Sequence, residues 1–296
     1  MHDDIYFTTE EAAAYLRLKE RKLYELVSKG AVPCSKVTGK WLFPRAAIDR
    51  WISAGLPRPE GFVPEEPPAI IGGSHDPLLE WATRQSRSGY ALLSEGSEAG
   101  LDRLERNEVA IAAIHLHGLG DDEAANIDGV AAHAALHDAV LISFARREQG
   151  FLVALGNPLG IGELGDVQRR RARIGLRPTG AGAQLLLERI AQRSDIGLDA
   201  LYCAEGRFMT APDLALAIRS GEIDCGLATR AVAATHRLDF VPLVWERFDL
   251  ALRRRTYFEP PTKKLFAFLR GDSLRQCAEA LGGYDLSPLG AVRLNR

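Results

Sequence analysis

The 296-residue chain is poor in several things that would each announce a function. It has only four cysteines, Cys34, Cys203, Cys225 and Cys277, and none stands at a metal-binding or paired spacing. They read as reduced thiols in a reducing compartment. Charge of one sign is nearly absent in sum: the formal net charge is −2. The whole chain therefore does not declare a nucleic-acid partner, and any such claim must rest on a local basic region. No apolar run approaches the roughly 20 residues that cross a bilayer. The opening MHDDIYF is acidic and lacks the basic-then-apolar pattern of an export signal. These absences predict a cytoplasmic protein with no membrane partner. There is no phosphate-binding Walker loop, no dinucleotide fingerprint, and no nucleophile–base pair with a local signature. Neither an enzyme nor a catalytic residue is expected.

What is present begins at Thr8. Thr8 and Glu11 form a capping-box pair, after which Ala12, Tyr15 and Leu16 recur at helical spacing. A second helix is predicted from about Lys19 to Lys29, with Leu23, Leu26 and Val27 on one face and Gly30 ending it. CSKVT and KWLF around Gly39 read as two short strands and a turn. A third helix starts near Pro44–Arg45 and should bury Ile48, Trp51 and Ile52. Helix, turn, helix, hairpin, helix is the order of a winged helix-turn-helix. Between Arg17 and Arg50 nine basic residues face three acidic ones, a local excess of six in a net-acidic chain. Lys19, Arg21 and Lys22 sit at the start of the second helix, where a recognition helix meets DNA. Lys36, Lys40 and Arg45 lie on and after the hairpin, where a wing reaches phosphates. Double-stranded DNA is the expected partner, bound by a homodimer or higher homo-oligomer because one small head reads few base pairs.

The stretch SAGLPRPEGFVPEEPPA is too rich in proline for helix or central sheet, and marks a linker over 55–68 between domains 1–54 and 69–296. Behind it, strand, small-residue loop and helix alternate, which predicts an α/β fold with largely parallel sheets. AVLISFARREQGFLVAL reads as two strands broken at the charged RRE. Asp76 is placed to cap a helix with Pro77 at its first position. Loops that end strands and open helices offer free amides to anions. The candidates on them are Ser74, His75, Ser94, Ser97, Arg177, Thr179 and Gly180. His115 and His117, and His133 and His137, invite a metal reading. No carboxylate or cysteine completes a convincing set, and the short alanine-rich flanks suit packing, so no metal is expected. The arginine runs at 169–173 and 253–255 read as solvated faces.

Two resemblances sharpen this. FTTEEAAAYL, LYELVSKGAVP and GKWLFPRAAIDRWI resemble the excisionase/MerR-type helix-turn-helix family, whose second helix enters the major groove. RLKERKLY departs from it in lacking a hydroxyl cap before that helix. GGSHDPLLE, SEGSEAGLDRLERNEVAIAAIHLHG, GLRPTGAGAQLLLERI and GGYDLSPLGAV resemble the type 2 periplasmic-binding-protein-like domain found behind helix-turn-helix modules. That resemblance implies two α/β lobes, 69–152 with 245–296 and 153–244, around a ligand cleft. It also implies a molybdate- or tungstate-type oxyanion as ligand, with a small carboxylate as the alternative opened by a departure in the second-lobe loop, and no other cofactor is expected. Where the family loop carries hydroxyls and a base, TGAGAQ here carries Ala181, Ala183 and Gln184. Recognition is then expected to lean on the first lobe. The expected function is a ligand-responsive transcriptional regulator. The alternatives are a molybdenum-cofactor accessory or oxyanion-binding protein, and an architectural DNA binder with a vestigial sensor.

Overall fold

The structure is a computed structural model that describes residues 6–36, 39–54, 66–117 and 122–296. The chain divides into two compact units, 1–62 and 63–296. Most of the proline-rich stretch, residues 55–65, lies outside the described residues.

The first unit runs β1 (Tyr6–Phe7), α1 (Thr9–Tyr15), α2 (Glu20–Ser28), β2 (Phe43–Pro44) and α3 (Arg45–Ala54). Thr8 and Glu11 form the reciprocal capping box, which satisfies two amides that a helix start leaves unpaired. Lys19 precedes α2 and makes no side-chain cap. Ala12, Ala13, Leu23, Val32, Phe43 and Ile48 close a small core. Two expectations need correction here. Ile52, in the last turn of α3, is 40% exposed because this core ends at Ile48 and Trp51. Among the described residues the expected hairpin shows one antiparallel bridge, Ser35 with Leu42, its two N–H···O bonds both 2.8 Å; residues 37–38 lie outside the described set. Phe43–Pro44 pairs instead with Tyr6–Phe7. That pairing buries Phe43 completely, and Pro44 is tolerated because a two-stranded ribbon is all edge. Tyr15 faces outward rather than into the core, and its hydroxyl donates to Asp49 at 2.7 Å.

The second unit continues with β3 (Ile70–Gly73), α4 (Pro77–Ser86), β4 (Ala91–Ser94), α5 (Ser97–Glu105), β5 (Ile111–Ile114), α6 (Asp122–Ala132) and β6 (Ala139–Val153). Then come α7 (Leu164–Arg169), β7 (Ile174–Gly175), α8 (Gly182–Arg193), α9 (Ala211–Arg219), β8 (Cys225–Thr229), α10 (Arg230–His236) and β9 (Asp239–Arg253). It closes with α11 (Arg254–Tyr257), α12 (Pro260–Leu269), α13 (Asp272–Leu281), β10 (Tyr284–Asp285) and β11 (Val292–Asn295). Asp76 caps α4, accepting from the Leu79 amide at 2.8 Å, with Pro77 in the first turn.

The strands form one nine-stranded sheet in the order β4-β3-β5-β9-β6-β8-β7, with β10 and β11 also on β6. It is mixed rather than largely parallel: β3 pairs parallel with β4 and β5, and β7 with β8, while β6 and β9 run antiparallel to each other and to their other neighbours. The reason is that β6 and β9, 15 residues each, serve both lobes. Their outer halves alternate faces as strands must. Val140 and Ile142 face one core of the first lobe and Leu141 the other; Phe151 and Val153 face one core of the second lobe and Leu152 the other. Between the lobes lie Arg146 to Gly150, which include the RRE expected to break the strand. It does not break, because Arg147 finds carboxylates on both sides and Glu148 pairs with Arg230 at 2.5 Å. The pairing register shifts beside Gly150. A Cβ on Gly150 would lie 2.0 Å from the Val241 carbonyl oxygen, so only glycine fits that crossing.

Candidate functional site

Both long strands pass beneath a cleft, and the cleft floor is ionic. Arg147 is fully buried, and its guanidinium donates to Glu246 Oε1 at 2.6 Å and Asp76 Oδ2 at 3.0 Å while stacking 4.0 Å over the Phe248 ring. Gln149 Nε2 donates to the same Glu246 oxygen at 3.0 Å. The other oxygen, Oε2, lies 3.0 Å from His115 Nδ1 and 2.8 Å from His117 Nε2. Tyr284 donates its hydroxyl to Asp76 at 2.9 Å. Burial alone would raise the Glu246 pKa, yet His115 and Arg147 hold it well below the usual carboxylate range. Burial works against the Arg147 charge, but Glu246 and Asp76 outweigh it.

His115, His117 and Glu246 bring three potential metal-ligating atoms within 4.8 Å of one another. This corrects the expectation that no carboxylate completes a set with these histidines: Glu246 does so from 129 residues away, where sequence spacing cannot show it. Both of its oxygens already accept hydrogen bonds, so the trio reads as part of the buried network. His115 makes this network pH-dependent. Burial pulls its pKa down to about 4 against the opposing pull of Glu246. The unfolded imidazole titrates near 6.5, so between these values the unfolded chain binds the extra proton. Stability should be full above that range and fall as pH drops through it, by up to roughly 3 kcal/mol. Urea unfolding midpoints measured from pH 7 to pH 4 test this; a flat profile through that window would show that the fold does not depress the His115 pKa.

Above this floor a cavity of about 30 Å³ is lined from the first lobe by Ser74, His75, Ser94, Gly96 and His115, and from the second by Arg177, Ala181, Gly182, Met209 and Thr229, with Arg147 and Gln149 between. That is room for roughly two water-sized groups. Two helix starts meet here. α5 is preceded by Gly96 and α8 by Ala181, and neither residue makes a side-chain cap. A Cβ on Gly96 would lie 3.2 Å from Ala181 Cα, and one on Gly182 only 2.1 Å from the His115 carbonyl oxygen, so the lobes touch across the cleft. Helix starts carry amides without intrahelical partners and partial positive charge; at α5 one of these amides, that of Glu98, goes to the Gly180 carbonyl. A larger cavity of about 630 Å³, lined by Tyr257, Phe258, Phe266 and Leu289 among others, lies elsewhere in the first lobe. None of its lining residues holds a buried polar atom without a partner among the described residues.

Ser74, His75, Ser94 and Arg177 therefore line one cavity. Ser97, Thr179 and Gly180 do not. Ser97 is fully buried beneath it, its hydroxyl 2.9 Å from that of Ser74 and bonded to both the amide and carbonyl of His115. Thr179 is exposed, and Gly180 offers its carbonyl to the Glu98 amide at 3.5 Å. Arg177 is half-buried; it donates to the Met209 carbonyl at 2.8 Å and forms no ion pair among the described residues. Desolvation pulls its pKa down to about 10, which leaves it charged at neutral pH. Arg147, Gln149, Thr229 and Glu246 were not legible as site residues. Their signal is charge or polarity inside an apolar strand pattern, which sequence alone reads as a break.

In the first unit, Lys19, Arg21, Lys22, Lys36, Lys40 and Arg45 are all exposed. Arg21 and Lys22 are exposed just before buried Leu23 on α2; Lys22 pairs with Glu25 at 3.0 Å. Lys36 stacks over Trp41 and Arg45 over Tyr15, at 5.2 and 6.0 Å from the ring centres. The arginine runs at 169–173 and 253–255 include Arg169, Arg173 and Arg253, each engaged by a carboxylate of its own unit.

Comparison with known proteins agrees with this architecture. The helix-turn-helix domain family matches residues 6–55, and the PBP superfamily domain family matches residues 79–270. An uncharacterized protein, YvgK of Bacillus subtilis, is 23% identical over 316 residues and the match covers 99% of each chain. Among solved structures, a peroxide-bound mutant of OxyR from Corynebacterium glutamicum superposes with a TM-score of 0.54 at 13% identity, covering 93% of this chain and 89% of its own. The tungstate ABC transporter structure from Geobacter sulfurreducens gives 0.51 at 12% identity, covering 73% of this chain and 98% of its own. No described helix is long and apolar enough to cross a membrane. The chain belongs to the PBP superfamily domain family, with an excisionase-like helix-turn-helix at its N-terminal end.

Proposed function

We propose that this protein is a DNA-binding transcriptional regulator whose cleft senses a small anion of the oxyanion or carboxylate class. One observation carries the anion: Arg177, a charged guanidinium at the cleft with no ion-pair partner among the described residues. Arg147, by contrast, is already neutralised by Asp76 and Glu246. Two uncapped helix starts add positive potential from opposite lobes. The fold relative named for tungstate supports the oxyanion class. An anion that touches both lobes stabilises the closed form by its differential affinity for that form, and by no more than that. In an oligomer, closure would change how the attached DNA-binding units are presented, and so occupancy of the operator. Arg177→Met should reduce anion affinity by ten- to a hundredfold or more, the range for a lost charge-assisted hydrogen bond. A calorimetric titration of tungstate, phosphate and small carboxylates into the full chain, paired with operator gel shifts, tests this. Unchanged affinity in Arg177→Met would remove the anchor from the proposal.

A further inference from the structure

Four residues lining the cleft each keep a buried polar atom with no partner: His75 Nδ1, Gln149 Oε1, Arg177 Nε and Thr229 Oγ1. Gln149 and Thr229 are 2% and 5% exposed, so bulk water does not satisfy them. Such atoms are uncommon in folded proteins and mark where another molecule completes the bonding. Their chemistry is not uniform, and the difference is informative.

Gln149 Nε2 donates to Glu246 Oε1, which also receives Arg147 Nε. Glu246 is ionised and can only accept. Turning the Gln149 amide over would set oxygen against oxygen, so the orientation is settled and Oε1 is left as a bare acceptor. His75 Nε2 lies 3.0 Å from Glu80 Oε2 and therefore carries a proton. In the neutral ring Nδ1 is then a second bare acceptor. Arg177 Nε is a donor, and the Thr229 hydroxyl can act either way. The cleft thus offers donors for a negative group and, beside them, two acceptors that a bare anion cannot use.

We infer that the ligand is an anion that itself carries an O–H or N–H group, with its charged oxygens on Arg177 and the helix-start amides and its own hydrogen on Gln149 or His75. This rests on the anion reading of the cleft and narrows it. Hydrogen phosphate, a hydroxycarboxylate or an amino acid meets the requirement. Sulfate, molybdate and tungstate at neutral pH present only lone pairs, which would face the Gln149 and His75 acceptors unpaired. A site built to bond a ligand hydrogen rejects an analogue without it, because its own buried groups are then stranded.

The test is calorimetry on the full chain at neutral pH with matched probes: phosphate against sulfate, molybdate and tungstate, and glycolate and glycine against acetate. In at least one set, the donor-bearing member should bind about tenfold or more tighter than its donor-free counterparts. His75→Leu and Gln149→Met should each shrink that preference by about fivefold, the loss of one hydrogen bond. Gln149→Met also loses the contact to Glu246; should it fail to fold, His75→Leu, which leaves the carboxylate network in place, carries the test. Sulfate, molybdate or tungstate binding at least as tightly as phosphate, with acetate matching glycolate and glycine, would overturn the donor requirement and leave the anion cleft standing. A preference unchanged in the folded variants would overturn the assignment to these acceptors. Failure of every probe to bind would remove the anion reading together with this inference.

Discussion

Arg147→Ala should destabilise the second unit by about 3–5 kcal/mol, the loss seen when one partner of a buried charge pair is removed. Among the described residues, the guanidinium is the buried cation that pairs with both Asp76 and Glu246. Its removal leaves two carboxylates desolvated with less than their full compensation. Asp76 keeps the Leu79 amide and the Tyr284 hydroxyl, and Glu246 keeps Gln149 and the histidines, so the loss should stop short of the full desolvation of two ions. The void left under the Phe248 ring adds to it. Chemical denaturation monitored by circular dichroism gives the measurement. A loss below about 1 kcal/mol is the value typical of exposed ion pairs, and would show that the network is open to water. The same variant matters for function, since β6 and β9 cross between lobes where Arg147 and Glu246 sit.

Charge reversal at Arg21 and Lys22 should abolish DNA binding and leave the helical signal of the first unit intact. Both side chains are exposed, and neither belongs to the core built on Ala12, Leu23, Phe43 and Ile48. They lie in the first turn of α2, whose start has no capping side chain to compete for phosphate. Reversal at two positions exchanges two phosphate attractions for two repulsions, and the affinity loss should exceed a hundredfold at moderate salt. Releasing Glu25 from Lys22 costs little, because Lys29 still pairs with it at 2.7 Å. Lys40→Ala, on the far side of the Ser35–Leu42 bridge, should weaken binding modestly for all sequences and lower the salt slope by about one unit. Filter binding across a salt series separates the two effects. Undiminished affinity in the double variant would place the DNA on another face.

Some of this protein was settled within a few residues of sequence. Thr8 with Glu11 and Asp76 with Pro77 are complete helix-start signals in themselves, and both operate as such in the structure. The glycine- and serine-rich loops after β3 and β4 and the loop after β7 were legible for the same reason: strand, turn and helix each leave a local pattern. So was the basic charge around α2. The cleft floor was not, because its members are joined only in space. His117 and Glu246 stand 129 residues apart, and Asp76 and Tyr284 stand 208 apart. A strand that carries Arg147 through a buried junction looks broken in sequence, since nothing local shows the two carboxylates that neutralise it. Likewise Ser97 looked like a ligand hydroxyl until the fold placed the His115 backbone against it. Local chemistry decides where helices begin and which loops offer amides. Which charges are paired, and which one has no ion pair among the described residues, is decided only when distant strands cross, because neutralisation depends on distance in space and not along the chain.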